Sequence, residues 1–254
     1  MVLKIQHFVI FITIGCVLSC KQSPPSVAVI EGHLLPITDS LVASDSIDTF
    51  VTPYRNRIEM VLDSALTYAS KTISKDDGQY NSTAGNLMAD IVMTQAEPIF
   101  KSRTGRDIDF VFLNHGGIRA IMSKGNISAR TAYEVMPFDN SIVVVELSGN
   151  AVEQLIKYLI ASGRAHPISG LQVILNKEGL LSQANIQGKP FCPPRHYFVA
   201  TSDYLSLGGD QMDFFLNPIG QTGIDYQIRN ALIDYFKKVD TLSPSVDDRY
   251  YKMK

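Results

Sequence analysis

The stretch that most constrains this chain is Asp109-Phe-Val-Phe-Leu113 running into Asn114-His-Gly-Gly-Ile-Arg119. Aromatic and β-branched residues between polar flanks predict a short buried strand. A strand that ends in a glycine pair must turn at once, with backbone N–H groups open to a ligand because no Cβ covers them. Asn114 and Arg119 add an amide and a planar cationic fork. This is equipment for gripping an oxyanion or a polar heterocycle at the carboxyl end of a strand, where open α/β sheets bind their ligands. The alternative is a tight turn with Arg119 in a structural ion pair.

The amino terminus has the layout of an export signal. Lys4 precedes an apolar run from Phe8 to Leu18 that is short for a bilayer span and stops at Ser19-Cys20. A small residue before cysteine, with Val17 and Leu18 ahead, resembles the lipobox of bacterial lipoproteins. Residues 1–19 are thus expected as a signal peptide and Cys20 as the lipidated residue; an ordinary cleaved signal peptide is the alternative. Residues 20–47, with Pro24-Pro25, suit a linker, and 48–254 a single domain in the cell envelope, held to the membrane by lipid. Beyond the anchor only Cys192 remains, so the fold must be stabilised by its core rather than by a disulfide. With 45% apolar residues the domain can bury one, and a net charge of −2 implies no basic face for a nucleic-acid polymer.

Along the chain, Thr52-Pro53 reads as a cap and first turn of a helix to Ser70, with Ile58, Val61, Leu62, Ala65 and Leu66 on a core-facing stripe. Ser82 or Thr83 caps a second helix with Leu87, Ile91 and Val92 inward, and Pro98 near its end. Lys124-Gly125-Asn126 is a turn by composition, Thr131–Val135 a helical piece, and Ser141–Leu147 a strand. Gly149-Asn150 opens a helix with the stripe Val152, Leu155, Ile156 and Leu159. Leu171–Leu175 and Tyr197–Thr201 are strands separated by a loop, Ser202–Leu205 starts a short turn or helix, and Gly223–Lys238 is the last helix, with Ile224 and Ile228 inward. The fold class is α+β, mixed α and β, with helices packed on a mixed sheet.

For chemistry, a binuclear metal site is not expected. Asn114-His115 is an isolated pair, there is no Asp-x-His or His-x-His, and His33, His166 and His196 stand singly. No Gly-x-Ser-x-Gly elbow or phosphate loop is present. A nucleoside-holding set remains. Phe138, fixed by Pro137, presents a ring at a rim. Tyr204 lies just beyond a strand, its face suited to a base and its hydroxyl to water. Asp210, after Gly208-Gly209, suits a pair of ribose hydroxyls. Each has a plain alternative: core aromatics for the rings and an Asx turn for Asp210.

Taken in order, Ser82-Thr-Ala-Gly-Asn-Leu-Met-Ala-Asp90, Asn114-His-Gly-Gly-Ile-Arg119, Met136-Pro-Phe-Asp-Asn140 with Ile142-Val-Val-Val-Glu-Leu147, Ser169-Gly-Leu-Gln-Val173 and Ser202-Asp-Tyr-Leu-Ser-Leu-Gly-Gly-Asp210 resemble the carboxyl-terminal domain of the 5′-nucleotidase family. That family includes UDP-sugar hydrolases and 2′,3′-cyclic phosphodiesterases, and the resemblance covers about residues 48–238. It implies that this domain selects the substrate while a separate amino-terminal metallophosphatase domain holds two metals and hydrolyses it. It further implies Asn114 and Phe138 on the base, Tyr204 on the other face, Asp210 on the ribose hydroxyls, and Arg119 toward the phosphates. Gly116, Gly117, Gly208 and Gly209 would give backbone access. Two departures stand out. Tyr204 replaces a common phenylalanine, and no arginine lies between Arg57 and Arg103, where many members grip phosphate; Arg164 is the candidate to compensate. The expected function is the nucleotide-binding half of a split 5′-nucleotidase, with no cofactor of its own and divalent metals only in a partner metallophosphatase subunit. The alternatives are a stand-alone envelope nucleoside-binding protein, hydrolysis by a site around His115 and Asp210, or an interaction module.

Overall fold

The computed structural model describes residues 31–38, 40–42 and 44–254. The expected export signal and Cys20 lie outside them. The chain forms two compact units, 1–50 and 51–254. In the first, the described residues before Asp45 carry no regular element beyond turns. Helix α1, Asp45–Asp63, runs across the boundary, and none of its residues is buried.

This first helix departs from expectation at both ends. It begins eight residues before Pro53, which falls inside it, and it stops at Asp63 rather than Ser70. Ala65–Ala69 is instead strand β1, with Thr67 and Ala69 buried and Tyr68 out. That alternation has period two, and the strand pairs in parallel with β11 (Thr241–Leu242) and antiparallel with β3 (Gly125–Ser128). The pairing also makes a strand of Gly125-Asn126, where a turn at Lys124-Gly125-Asn126 is expected. Ile58 and Val61, expected in the core, are exposed.

The rest of the second unit is built on a five-stranded sheet ordered β10 (Gly220–Gln227), β4 (Ser141–Ser148), β9 (His196–Ser202), β2 (Phe110–Phe112), β5 (Ile168–Ser169). Its central strands are buried on both faces, which explains their nearly unbroken apolar sequences. Val111, Ile142, Val144 and Ala200 point to one cluster, under helix α2 (Thr83–Thr104) and helix α6 (Ile228–Phe236). Phe110, Phe112, Val143, Val145, Leu147 and Val199 point to a second, under helix α4 (Gly149–Ser162). Ser82 caps α2 through its side chain, and the helix continues through Pro98 to a left-handed cap at Gly105. Ser148 caps α4 in the same way.

Two further departures concern polar strands. The expected loop before Tyr197 holds β7 (Leu181–Ile186) and β8 (Lys189–Pro190), which continue a four-stranded sheet with β6 (Leu171–Leu175) and β12 (Tyr250–Lys252). The expected last helix is split: Gly220–Gln227 pairs with β4, Gly223 opposite Val143, and α6 starts only at Ile228. Helix α3, Ala129–Val135, falls where a helical piece is expected. Among the described residues no helix is long and apolar enough to cross a membrane.

Candidate functional site

Sheet topology brings the singled-out residues to one edge. Strands β2 and β9 are parallel neighbours, so the chain leaves both at the same edge. After β2 comes Asn114 and a 3₁₀ turn, His115–Gly117; after β9 comes helix α5, Asp203–Ser206, capped by Ser202, and then a 3₁₀ turn at Gly209–Gln211. Strand β4 is antiparallel to β9, with Ile142 opposite Ser202, so its incoming segment Met136–Asn140 arrives at that edge too. Three links separated in sequence therefore meet, at the carboxyl ends of β2 and β9 and the amino end of β4.

They enclose a cavity of about 290 Å³ lined by Asn114, Gly116, Gly117, Arg119, Phe138, Asn140, Tyr204 and Asp210. Seven of the ten substrate-binding residues expected from sequence are in that lining, and Asn140 joins them. Gly208, Gly209 and Arg164 are not. Gly208 and Gly209 act on the turn itself: Gly208 has φ of +84°, and a Cβ on Gly209 would lie 2.5 Å from the Tyr204 ring. Arg164 is an exposed side chain whose charge is felt at His115, His166 and Tyr158. Arg119 places its guanidinium carbon 5.7 Å from the Phe138 ring centroid, within cation–π range.

Phe138 and Tyr204 are 39% and 46% exposed, so both rings keep open surface at the cavity. Phe138 is held from behind by Arg229, at the start of α6. This buried guanidinium donates to the carbonyls of Pro137 and Phe138 at 3.2 Å each, pairs with Asp139, and lies 4.3 Å from the Tyr133 ring centroid. Sequence reasoning did not find Arg229, because it sits in a helix whose start was misplaced.

The Tyr204 hydroxyl, at this exposed edge, is engaged by Asp210. It donates to Asp210 Oδ1 at 3.1 Å and accepts from the Asp210 backbone N–H at 3.3 Å. Asn114 Nδ2 donates to Asp210 Oδ2 at 2.7 Å, and Tyr158, on α4, donates to the Asp210 carbonyl at 2.9 Å. Burial raises the Tyr158 pKa, and the Asp210 charge adds to it. The amide of Asn114 thus faces the Asp210 carboxylate through its nitrogen, whereas its oxygen lies close to Gly117, where a Cβ would come within 2.8 Å.

The two histidines of this edge are neighbours, although sequence gave no sign of a cluster. The His115 N–H donates to His166 Nδ1 at 3.3 Å, and His115 Nε2 meets Asp76 Oδ1 at 3.3 Å. Burial, and next the charge of Lys75, lowers the His115 pKa. Lys75 Nζ donates to the Ile118 carbonyl at 2.8 Å, fastening the far end of the same turn. Among the described residues, no group of three or more His, Cys, Asp or Glu side chains is placed to hold a metal ion.

A family model for the 5′-nucleotidase C-terminal domain matches residues 64–217, more than half of the chain. The chain belongs to the 5′-nucleotidase C-terminal domain family. Protein UshA of Escherichia coli K12 is 25% identical over 215 residues, covering 82% of this chain and 37% of UshA. Cell wall protein Lmo0130 of Listeria monocytogenes is 26% identical over 218 residues, covering 79% of this chain and 28% of that protein. A crystal structure of a 5′-nucleotidase precursor from Thermus thermophilus superposes with a TM-score of 0.66 at 20% identity, over 82% of this chain and 43% of that one. This likeness shows that the α+β fold is shared. The chain spans less than half the length of these relatives, and what matches is the family's carboxyl-terminal domain.

Proposed function

We propose that this 5′-nucleotidase C-terminal domain binds a nucleoside or nucleotide between Phe138 and Tyr204, and that it serves as the substrate-selecting half of a 5′-nucleotidase whose hydrolytic metal centre is on a separate metallophosphatase chain. The observation that carries the binding role is the convergence of two half-exposed rings, one carboxylate and one guanidinium on a single cavity. Its volume suits a small ligand. In this reading the base enters between the rings, the sugar hydroxyls meet Asp210, and a phosphate extends toward Arg119. A relative named as a cell wall protein supports a place in the cell envelope.

Stacking on an aromatic ring contributes roughly 1–3 kcal/mol per base, so the two rings together supply a large part of micromolar affinity, about 8 kcal/mol. The test is titration calorimetry of the protein with adenosine, AMP and UDP-glucose. Phe138→Ala and Tyr204→Ala should each weaken the best ligand about 10- to 100-fold. Absence of binding to all three, or binding untouched by both substitutions, refutes the clamp.

A further inference from the structure

Asp210 is held at four atoms by three side chains from three elements. Its N–H and Oδ1 are both engaged by the Tyr204 hydroxyl, its Oδ2 by Asn114, and its carbonyl by Tyr158. The residue is nonetheless exposed, and both it and Gln211 are in the left-handed region, with φ of 54° and 60°. Two consecutive non-glycine residues in that region are uncommon, and the contacts around Asp210 hold it there. Each carboxylate oxygen accepts one hydrogen bond here and keeps acceptor capacity for another. The carboxylate therefore presents two adjacent acceptors in a fixed orientation, which matches two adjacent hydroxyl donors.

We infer that the Tyr204 hydroxyl and the Asn114 amide form a latch that holds Asp210 as a preformed receptor for a vicinal diol. Tyr204 is then more than a stacking surface. Its ring lies against Gly209, and its hydroxyl ties that ring to the carboxylate, so the base platform and the sugar receptor are set as one unit. Preorganisation strengthens binding because the ordering cost is met before the ligand arrives. The inference rests on reading the cavity as a nucleoside site. It goes beyond that reading by assigning a positioning role to a hydroxyl that stacking does not require.

Tyr204→Phe keeps the ring and removes only the latch. Calorimetry on the wild-type protein and this variant should show adenosine weakened about fivefold, as for one lost hydrogen bond to a charged group near solvent. The affinity for 2′,3′-dideoxyadenosine, which lacks both hydroxyls, should stay the same. Equal weakening of the two ligands, no weakening, or tighter adenosine binding overturns the latch. A ligand-free measurement decides it independently. Amide hydrogen exchange by NMR should show Asp210 exchanging at least about tenfold faster in Tyr204→Phe, with β4 and β9 amides unchanged. Unaltered exchange at Asp210 overturns the latch, even if adenosine binds. Failure of wild-type protein to bind any nucleoside defeats the proposed function alone, because the exchange result still stands for or against the latch.

Discussion

His166 shows how much a single ring beneath the site can decide. Its side chain is 4% exposed, stacked 5.6 Å from the Phe112 ring, and its Nδ1 accepts from the His115 N–H. The proton of the neutral ring is therefore on Nε2, which has no hydrogen-bond partner among the described residues. Burial lowers its pKa to about 4, against the ordinary histidine value of 6.5. Between these values the unfolded chain binds a proton that the folded chain refuses. Stability is thus full above pH 6.5 and is lost as pH falls toward 4, by at most roughly 3 kcal/mol. The urea midpoint of the wild type should fall through this window, and the fall should be shallower in His166→Gln. Parallel pH profiles for the two proteins would mean that other groups cause it, His115 first, since its pKa is lowered by the same kind of burial. In sequence His166 was only one more isolated histidine, because the partner that explains it lies 51 residues away.

Among elements, the start of α6 sets the position of the Phe138 ring. Arg229 replaces water as the partner of the Pro137 and Phe138 carbonyls, and a methionine there would fill similar space without donating. Arg229→Met should lower stability by about 1–3 kcal/mol and also weaken adenosine binding, although Arg229 does not line the cavity. Calorimetry alongside urea unfolding separates the two effects; destabilisation with full affinity would show that the link holds Phe138 without α6. Legibility of elements followed their chemistry. Strand β4 and helix α4 were readable because four consecutive β-branched residues, Ile142 to Val145, and then Leu147 lead to a capping serine and a helical stripe. Strands β7 and β10 were not, because Leu-Ser-Gln-Ala-Asn-Ile and Gly-Gln-Thr-Gly-Ile-Asp-Tyr-Gln have weak strand propensity and become strands by pairing with β6 and β4.

For the whole molecule, the proposed division of labour makes hydrolysis depend on a second chain. A metallophosphatase that co-purifies with this chain from the envelope fraction should hydrolyse AMP faster in its presence, by at least about tenfold. Phe138→Ala should remove that gain while leaving the phosphatase alone unchanged. Equal rates with and without this chain would sink the pairing and leave nucleoside binding standing.

The five motifs and their order were enough to identify the family, because each is a local solution to a local demand: a cap, a glycine turn, an aromatic after proline. They also picked out most of the cavity, since a strand that ends in a ligand-facing turn must use residues free of bulk or able to hydrogen-bond. What the sequence by itself left open was which partners those residues have. That Tyr204 ties its hydroxyl to Asp210, that Asn114 turns its nitrogen to the same carboxylate, and that Arg229 supports Phe138 were decided by the pairing of β2, β4 and β9. These are contacts between chain segments 6 to 96 residues apart, and hydrogen-bond geometry exists only once the sheet has set the distances.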